Sequence, residues 1–212
     1  DLLAAAEALA IELGGVRYVT LAPVTERAGL HRTAVRRYYE SKEELLLGLA
    51  ERGYQQWRDE VISRLQNRSN LEPTDVADVI TDALVALPVF CDTFTHISLR
   101  LEGDVSIERA RRFKENAFIA YDAMVSALVQ ASTMTKQQIY TLTSTAGALA
   151  ANFWQVAHPT PTLVELYKQE PRWGHVAYEF EPKLRLSLRS TALGLLETLP
   201  APVDEPSSAV VL

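Results

Sequence analysis

The feature that most constrains this chain is the stretch TLAPVTERAGLHRTAVRRYYESK, residues 20–42. It spells two short helices joined by a tight turn, then the start of a third. Thr20 is a good N-cap, and Pro23 falls in the first turn, where a missing N–H costs little. The Thr20 hydroxyl is then expected to cap the N–H of Ala22. Leu21, Val24 and Ala28 share one helical face and point inward. Gly29 stands where a helix ends on a left-handed residue, with Leu30 following as an apolar plug. A second helix is expected from about Arg32 to Tyr39. Val35 and Tyr39 share one of its faces, while Arg32, Thr33, Arg36 and Arg37 project elsewhere. Ser41 with Glu44 forms a capping box that opens the next helix.

This is the pattern of a helix-turn-helix, in which the second helix enters the major groove. Local charge agrees. Residues 16–42 carry Arg17, Arg27, Arg32, Arg36, Arg37 and Lys42 against Glu26 and Glu40, a balance of +4 in a chain whose net charge is −6. A positive patch on an acidic protein suits phosphate contact, because binding releases condensed counterions. Arginines on a surface helix are more often its wet face. The cap, the glycine turn and the clustered sign weigh against that reading here.

The run TERAGLHRTAVRRYYESKEELL resembles the DNA-binding signature of the TetR family of bacterial transcriptional regulators, with an Ala-Gly turn, a reading helix ending in paired aromatics, then Ser-Lys-Glu. Two positions depart from it. His31 stands where the family usually has a small hydroxyl residue. It caps less well than serine, though its ring can donate to a phosphate. Arg36 stands where tyrosine is common, which reads as a changed base or phosphate contact. The resemblance implies base contacts from Arg32, Thr33 and Arg37, with Arg36 beside them, and phosphate contacts from Thr20, Tyr38 and Lys42. It also implies an all-helical homodimer on palindromic double-stranded operator DNA, with a small-molecule effector held in the second domain. The function expected is that of a repressor released by its effector. The alternatives are a ligand-promoted repressor or activator and, more distantly, a small helical enzyme.

The rest of the chain has helical period. Residues 2–13 place Leu2, Ala6, Leu9 and Leu13 on one face and end at Gly14-Gly15, with Tyr18 and Leu21 completing a small core. From Ser41 a helix continues to about Gln66, longer than a DNA-binding bundle needs, with Leu45, Leu46, Leu49, Gly53, Trp57, Val61 and Leu65 inward. Further helices are expected over 74–87, from Pro88 to Gly103, from Ser106 to about Ala131, from Thr135 to about His158, and from Glu181 to Leu199. In the Ser106 helix, Ile107, Ala110, Phe113, Ala117, Tyr121, Met124 and Leu128 face inward. Its Arg109, Arg111, Arg112 and Lys114 read as a solvated face paired with Glu108 and Glu115. The last helix has two apolar faces, one with Leu184, Leu188, Ala192, Leu195 and Leu199, the other with Leu186 and Leu193. With the small-residue face Gly147, Ala148, Ala151 and Asn152, it calls for a second copy across a two-fold axis. The expected division is a helix-turn-helix domain at 1–47, a helical effector-binding and dimerisation domain at 48–200, and a tail at 201–212.

An apolar or aromatic effector is expected among the rings of the second domain, with Phe94, Tyr121 and Trp154 as the candidate residues. The histidines His31, His96, His158 and His175 lie in separate segments, without HExxH or paired CxxC spacing, and no glycine-rich phosphate loop occurs. No metal, cofactor or catalytic residue is therefore expected. Cys91 with His96 would make a nucleophile pair, but a buried structural cysteine is the stronger reading. A single cysteine forms no internal disulfide, and no apolar run reaches the roughly 20 residues that cross a bilayer. A cytoplasmic protein without membrane attachment is expected. The chain opens at Asp1 inside a helix, so a native start upstream is expected too.

Overall fold

A computed structural model describes residues 2–31, 35–176 and 179–199. Arg32, Thr33 and the tail 201–212 lie outside these residues, as does the side chain of His175. The fold is all-α. Among the described residues the one β-type pairing is a bridge between Leu71 and Ser132.

Helix α1 (Leu2–Leu13) buries Leu2, Ala5, Ala6, Leu9 and Ala10. Leu13 was expected inward but is exposed, because the alanine-lined stripe runs through Ala5 and Ala10 instead. The positive φ of Gly14 and Gly15 ends the helix. A 3-10 turn at Val16–Tyr18 then turns Val16 and Val19 fully inward. Tyr18, expected in the core, stays outside with the Arg17 guanidinium 4.6 Å above its ring. Helix α2 (Leu21–Arg27) buries Val24 and Thr25, and the Thr25 hydroxyl donates to the Leu21 carbonyl. Thr20 holds the N-cap place, yet its side chain makes no capping bond, so the expected cap on Ala22 is not formed. Gly29 has φ +67°, with the Leu30 N–H returning to the Thr25 carbonyl at 3.1 Å. That turn carries Leu30 outward to 39 % exposure, and Val35 is the residue buried there.

Helix α3 (Lys42–Arg64) runs about 34 Å at 1.5 Å per residue. Ser41 Oγ accepts the Glu44 N–H at 3.1 Å. Glu44 reaches back to the Glu40 N–H at 2.9 Å, one residue earlier than an ideal capping box. Asn67 and Asn70, both at positive φ, turn the chain into α4 (Pro73–Val85). Helix α5 (Pro88–His96) passes into a π-turn at Ile97–Leu101. Helices α6 (Ile107–Ala131), α7 (Lys136–Ala157), α8 (Pro161–Gln169) and α9 (Phe180–Thr198) complete the body.

Along α6 the inward stripe begins at Phe113, and Ile107 is exposed. Two of its basic residues pair with other elements rather than with Glu108 and Glu115, while Arg111 and Arg112 are exposed as a solvated face would be. Arg109, buried, meets Glu51 of α3 at 3.2 Å, and Lys114 meets Glu102 at 2.6 Å. On α7 the Thr135–Gln138 capping box is complete, and the Gln138 amide also donates to the Leu199 carbonyl at 2.7 Å, closing the end of α9. Arg185 of α9 bridges Asp78 and Asp82 of α4.

Two apolar clusters result. One joins α3, α4, α5, α6, α7 and α9 around Trp57, Ile80, Phe90, Leu128 and Leu142. The other joins α1, α2 and the start of α3, and it also draws Val89, Ile97, Leu101, Phe113 and Ala117 from beyond residue 47.

Candidate nucleic-acid interface and ligand cavity

Of the residues assigned to DNA contact, Arg36, Arg37, Tyr38 and Lys42 lie at the start of α3 and in the turn before it, Thr20 stands before α2 and His31 after Gly29, while Arg32 and Thr33 lie outside the described residues. Val35 closes a single turn, accepting the N–H groups of Tyr38 and Tyr39 at 2.9 and 3.0 Å. Burying Val35 sets the outward direction of its neighbours. Arg36 and Arg37 are exposed, and Tyr38 is 68 % exposed. Tyr39 is half-buried over Gly48, where an added Cβ would lie 3.1 Å from its ring. Thr20 and His31 are exposed on the same part of the chain. Lys42 is more engaged than its sequence position suggests. Its Nζ donates to the Arg17 carbonyl at 2.5 Å, and burial lowers its pKa. Arg27 forms a two-pronged pair with Glu12 at 2.6 Å on each arm, so its charge is matched by a carboxylate outside the 16–42 window. The acceptor-rich cap at Ser41 leaves the first turn of α3, with its N-terminal positive dipole, close to Tyr38 and Lys42.

This end is tied to the body by a buried carboxylate. Asp92 of α5 accepts the backbone N–H of Val16 at 2.6 Å and the Gln155 amide of α7 at 2.8 Å. His96 is half-buried one turn later. Burial lowers its pKa, with Asp92 opposing that shift and Lys42, Arg17 and Arg100 adding to it. Cys91 is fully buried and its thiol donates to the Leu84 carbonyl at 3.3 Å. Burial pushes that thiol up to about 12, so it carries its proton at neutral pH and the nucleophile reading loses its thiolate. No group of three or more His, Cys, Asp or Glu residues placed to hold a metal occurs among the described residues. No described helix is long and apolar enough to cross a membrane.

A cavity of about 370 Å³ opens between α3, α5, α6 and α7. Phe94 and Tyr121 line it, as two of the candidates named from sequence. Trp154 does not. Its ring stacks on His158 at 3.8 Å and meets the edge of Phe180 at 5.2 Å. The wall is completed by Tyr54 and Trp57 of α3, by Phe113, Lys114 and Phe118 of α6, and by Tyr140 of α7. The α3 pair was missed because Trp57 read as an ordinary core position of the connecting helix and Tyr54 lay off its inward stripe. Their three-residue spacing, with Gly53 beside them, was the available signal. Phe118 is exposed at the cavity rim. Tyr54, Phe90 and Phe94 pack ring to ring at 4.8–5.6 Å, so α5 touches both the cavity and, through Asp92, the N-terminal turn.

No curated protein matches the chain. A family profile described as tetracyclin repressor-like, C-terminal domain, matches residues 51–198, well over half of the sequence and the part that holds the cavity. With the N-terminal signature and this profile on one all-helical chain, the protein belongs to the TetR family of transcriptional regulators.

Proposed function

We propose that the chain is a homodimeric, sequence-specific DNA-binding repressor, released from a palindromic operator when a small apolar or aromatic molecule enters the cavity. The observation that carries this is the pairing of an exposed basic turn with a capped helix start. Arg36, Arg37 and Tyr38 stand out from the anchored Val35, directly before the Ser41 cap and Lys42. Arg32, Thr33 and Arg37, with Arg36, serve as base readers. Thr20, His31, Tyr38 and Lys42 hold phosphates. Residues 1–47 act as the reading part and 48–200 as the effector and dimer part, in a cytoplasmic setting. The dimer forms through α7 and α9: Leu186 and Leu193 of α9 are 65 % and 52 % exposed, and Ala148 and Asn152 of α7 are exposed, whereas Gly147, grouped with them from sequence, is buried against Phe94. An exposed apolar stripe of this kind marks an interaction face.

The test is selection of a duplex from a random pool, followed by a salt titration on the selected site. Affinity should fall steeply with salt, by a slope of about −0.9 for each phosphate neutralised. Arg37→Ala and Arg32→Ala should relax sequence preference, and Lys42→Ala should weaken all duplexes alike. Affinity that does not change with salt removes the DNA-binding reading. A cavity ligand that tightens operator binding would instead favour the ligand-promoted form.

A further inference from the structure

Five side-chain hydroxyls line the cavity, those of Tyr54, Tyr121, Tyr140, Thr143 and Ser144, and four of their protons are committed within the protein. Thr143 Oγ1 donates to the Ile139 carbonyl at 2.8 Å, so the Tyr121 hydroxyl donates to Thr143 Oγ1 at 2.6 Å. Tyr140 donates to the Asp122 carboxylate, and Ser144 donates to the Thr141 carbonyl at 3.0 Å. The Tyr54 hydroxyl differs, having no hydrogen bond among the described residues. Nor is it one of the fully covered polar atoms left without such a bond, which are Trp57 Nε1 and Glu102 Oε1, so it stays accessible beside the space its ring lines. The ring itself is held against Phe90, Phe94 and Phe113 at centroid distances of 5.2, 5.6 and 6.2 Å. Burial, with Glu102 and Tyr121 adding to it, pushes the hydroxyl up to about 12. It therefore keeps its proton at neutral pH and can donate it.

Lys114 supplies further donors at the same end. Glu102 links the two groups, since its charge is felt at Tyr54 and its Oε1 lies 2.6 Å from Lys114 Nζ. That contact is an ion pair too oblique for a hydrogen bond. An ammonium has three N–H donors and no acceptor, so Lys114 retains donors for a ligand oxygen. Its charge favours a carboxylate, while the Glu102 carboxylate opposes one, and the chemistry common to both cases is a carbonyl oxygen. Beyond this polar end, Phe94, Phe113 and Tyr121 present faces and edges suited to another flat ring.

We propose that the cavity takes a flat aromatic molecule bearing a carbonyl oxygen, of a ketone, an ester or a carboxylate, and that the Tyr54 hydroxyl donates to that oxygen with the Lys114 ammonium beside it. This rests on the reading of the cavity as the effector site. It adds the chemical class of the effector and the residue that selects it.

Three naphthalene probes of matched shape test it by calorimetry on the full chain: acetylnaphthalene, naphthoate and ethylnaphthalene. The tighter of the two carbonyl probes should bind at least about fivefold better than ethylnaphthalene, the range expected for one net hydrogen bond. In Tyr54→Phe, which keeps the ring and its packing, that advantage should fall by about the same factor, with the melting curve showing whether the variant is folded. The infrared carbonyl stretch of acetylnaphthalene bound to the wild type should lie below its value in hexane, a reading that needs no variant. Naphthoate binding tighter than acetylnaphthalene, with the lead lost in Lys114→Gln, identifies a carboxylate, and the reverse order identifies a ketone or ester. A naphthoate lead that survives Lys114→Gln overturns the part given to the ammonium. No advantage over ethylnaphthalene, an advantage unchanged in a folded Tyr54→Phe, an unshifted stretch, or failure of all three to bind overturns the proposal. Operator release is read separately. Binding with the expected preference but without release leaves the ligand class standing and removes the effector reading.

Discussion

The Asp92 carboxylate and the backbone N–H of Val16 meet at 2.6 Å inside the protein, joining α5 to the turn that follows α1. Its second oxygen holds Gln155 of α7 at 2.8 Å. A charge-assisted bond of this kind is stronger than a neutral one, and removing one partner leaves buried donors unmet. Asp92→Ala should lower stability by about 1–3 kcal/mol, seen in denaturant unfolding. It should also reduce the effect of a cavity ligand on operator affinity, because α5 carries Phe94 at the cavity. A variant as stable as the wild type would show that the bond contributes nothing net.

Two glycines on the cavity helices should respond differently to alanine. A Cβ at Gly53 would fall within the Phe90 ring, which is locked in the core. Gly53→Ala should therefore destabilise by about 1–3 kcal/mol or more through overpacking. At Gly147 the obstructed ring is Phe94, which borders open space and can swing into it. Gly147→Ala should be milder in thermal melts but should weaken binding of an aromatic probe such as naphthalene in the cavity. Equal melting losses, with probe binding untouched, would contradict this.

The protein should lose stability on mild acidification partly through His96. Burial among Arg17, Lys42 and Arg100 keeps its folded pKa below the ordinary value of 6.5, despite Asp92. Between the folded and unfolded values the unfolded chain binds more protons, so stability falls as pH drops through that window and is fully present above it. Melting temperature measured against pH should decline less on the acid side in His96→Gln than in the wild type. Parallel curves would exclude the histidine as a contributor.

Leu193→Asp tests the proposed dimer without disturbing the fold of one subunit, since Leu193 is already half exposed there. Across a dimer interface the same change would bury an unpaired carboxylate. Light scattering should report a monomer whose helical circular dichroism is retained. A variant that remains dimeric moves the interface off this face of α9.

Much of the fold was legible because helices announce their ends chemically. Gly14-Gly15, Ser41, Pro73, Pro88, Ser106 and Thr135 each stand at or beside an observed boundary. What failed were inferences about single residues near turns. Leu13, Tyr18 and Leu30 are apolar but exposed, since a left-handed glycine redirects the chain by an angle that periodicity does not contain. The ion pairs of Arg109 and Lys114 were missed for a related reason. Their partners, Glu51 and Glu102, come from other elements, while sequence proximity suggested Glu108 and Glu115. Half of the cavity was visible as a crowd of aromatics after residue 90. Its α3 wall was not, because a tryptophan at core spacing looks the same whether packed solid or facing a hollow.

The shared core bears on how such regulators can be recombined. Val89, Ile97, Leu101, Phe113 and Ala117 complete the apolar cluster of the N-terminal helices. A fragment cut after residue 47 would expose the faces those side chains cover, and a foreign head grafted onto this body would meet sockets shaped for another. Chimaeras joined within α3 should express poorly unless the donor head brings matching residues opposite these five positions. The practical unit of exchange is then a head together with the strip of α5 and α6 beneath it.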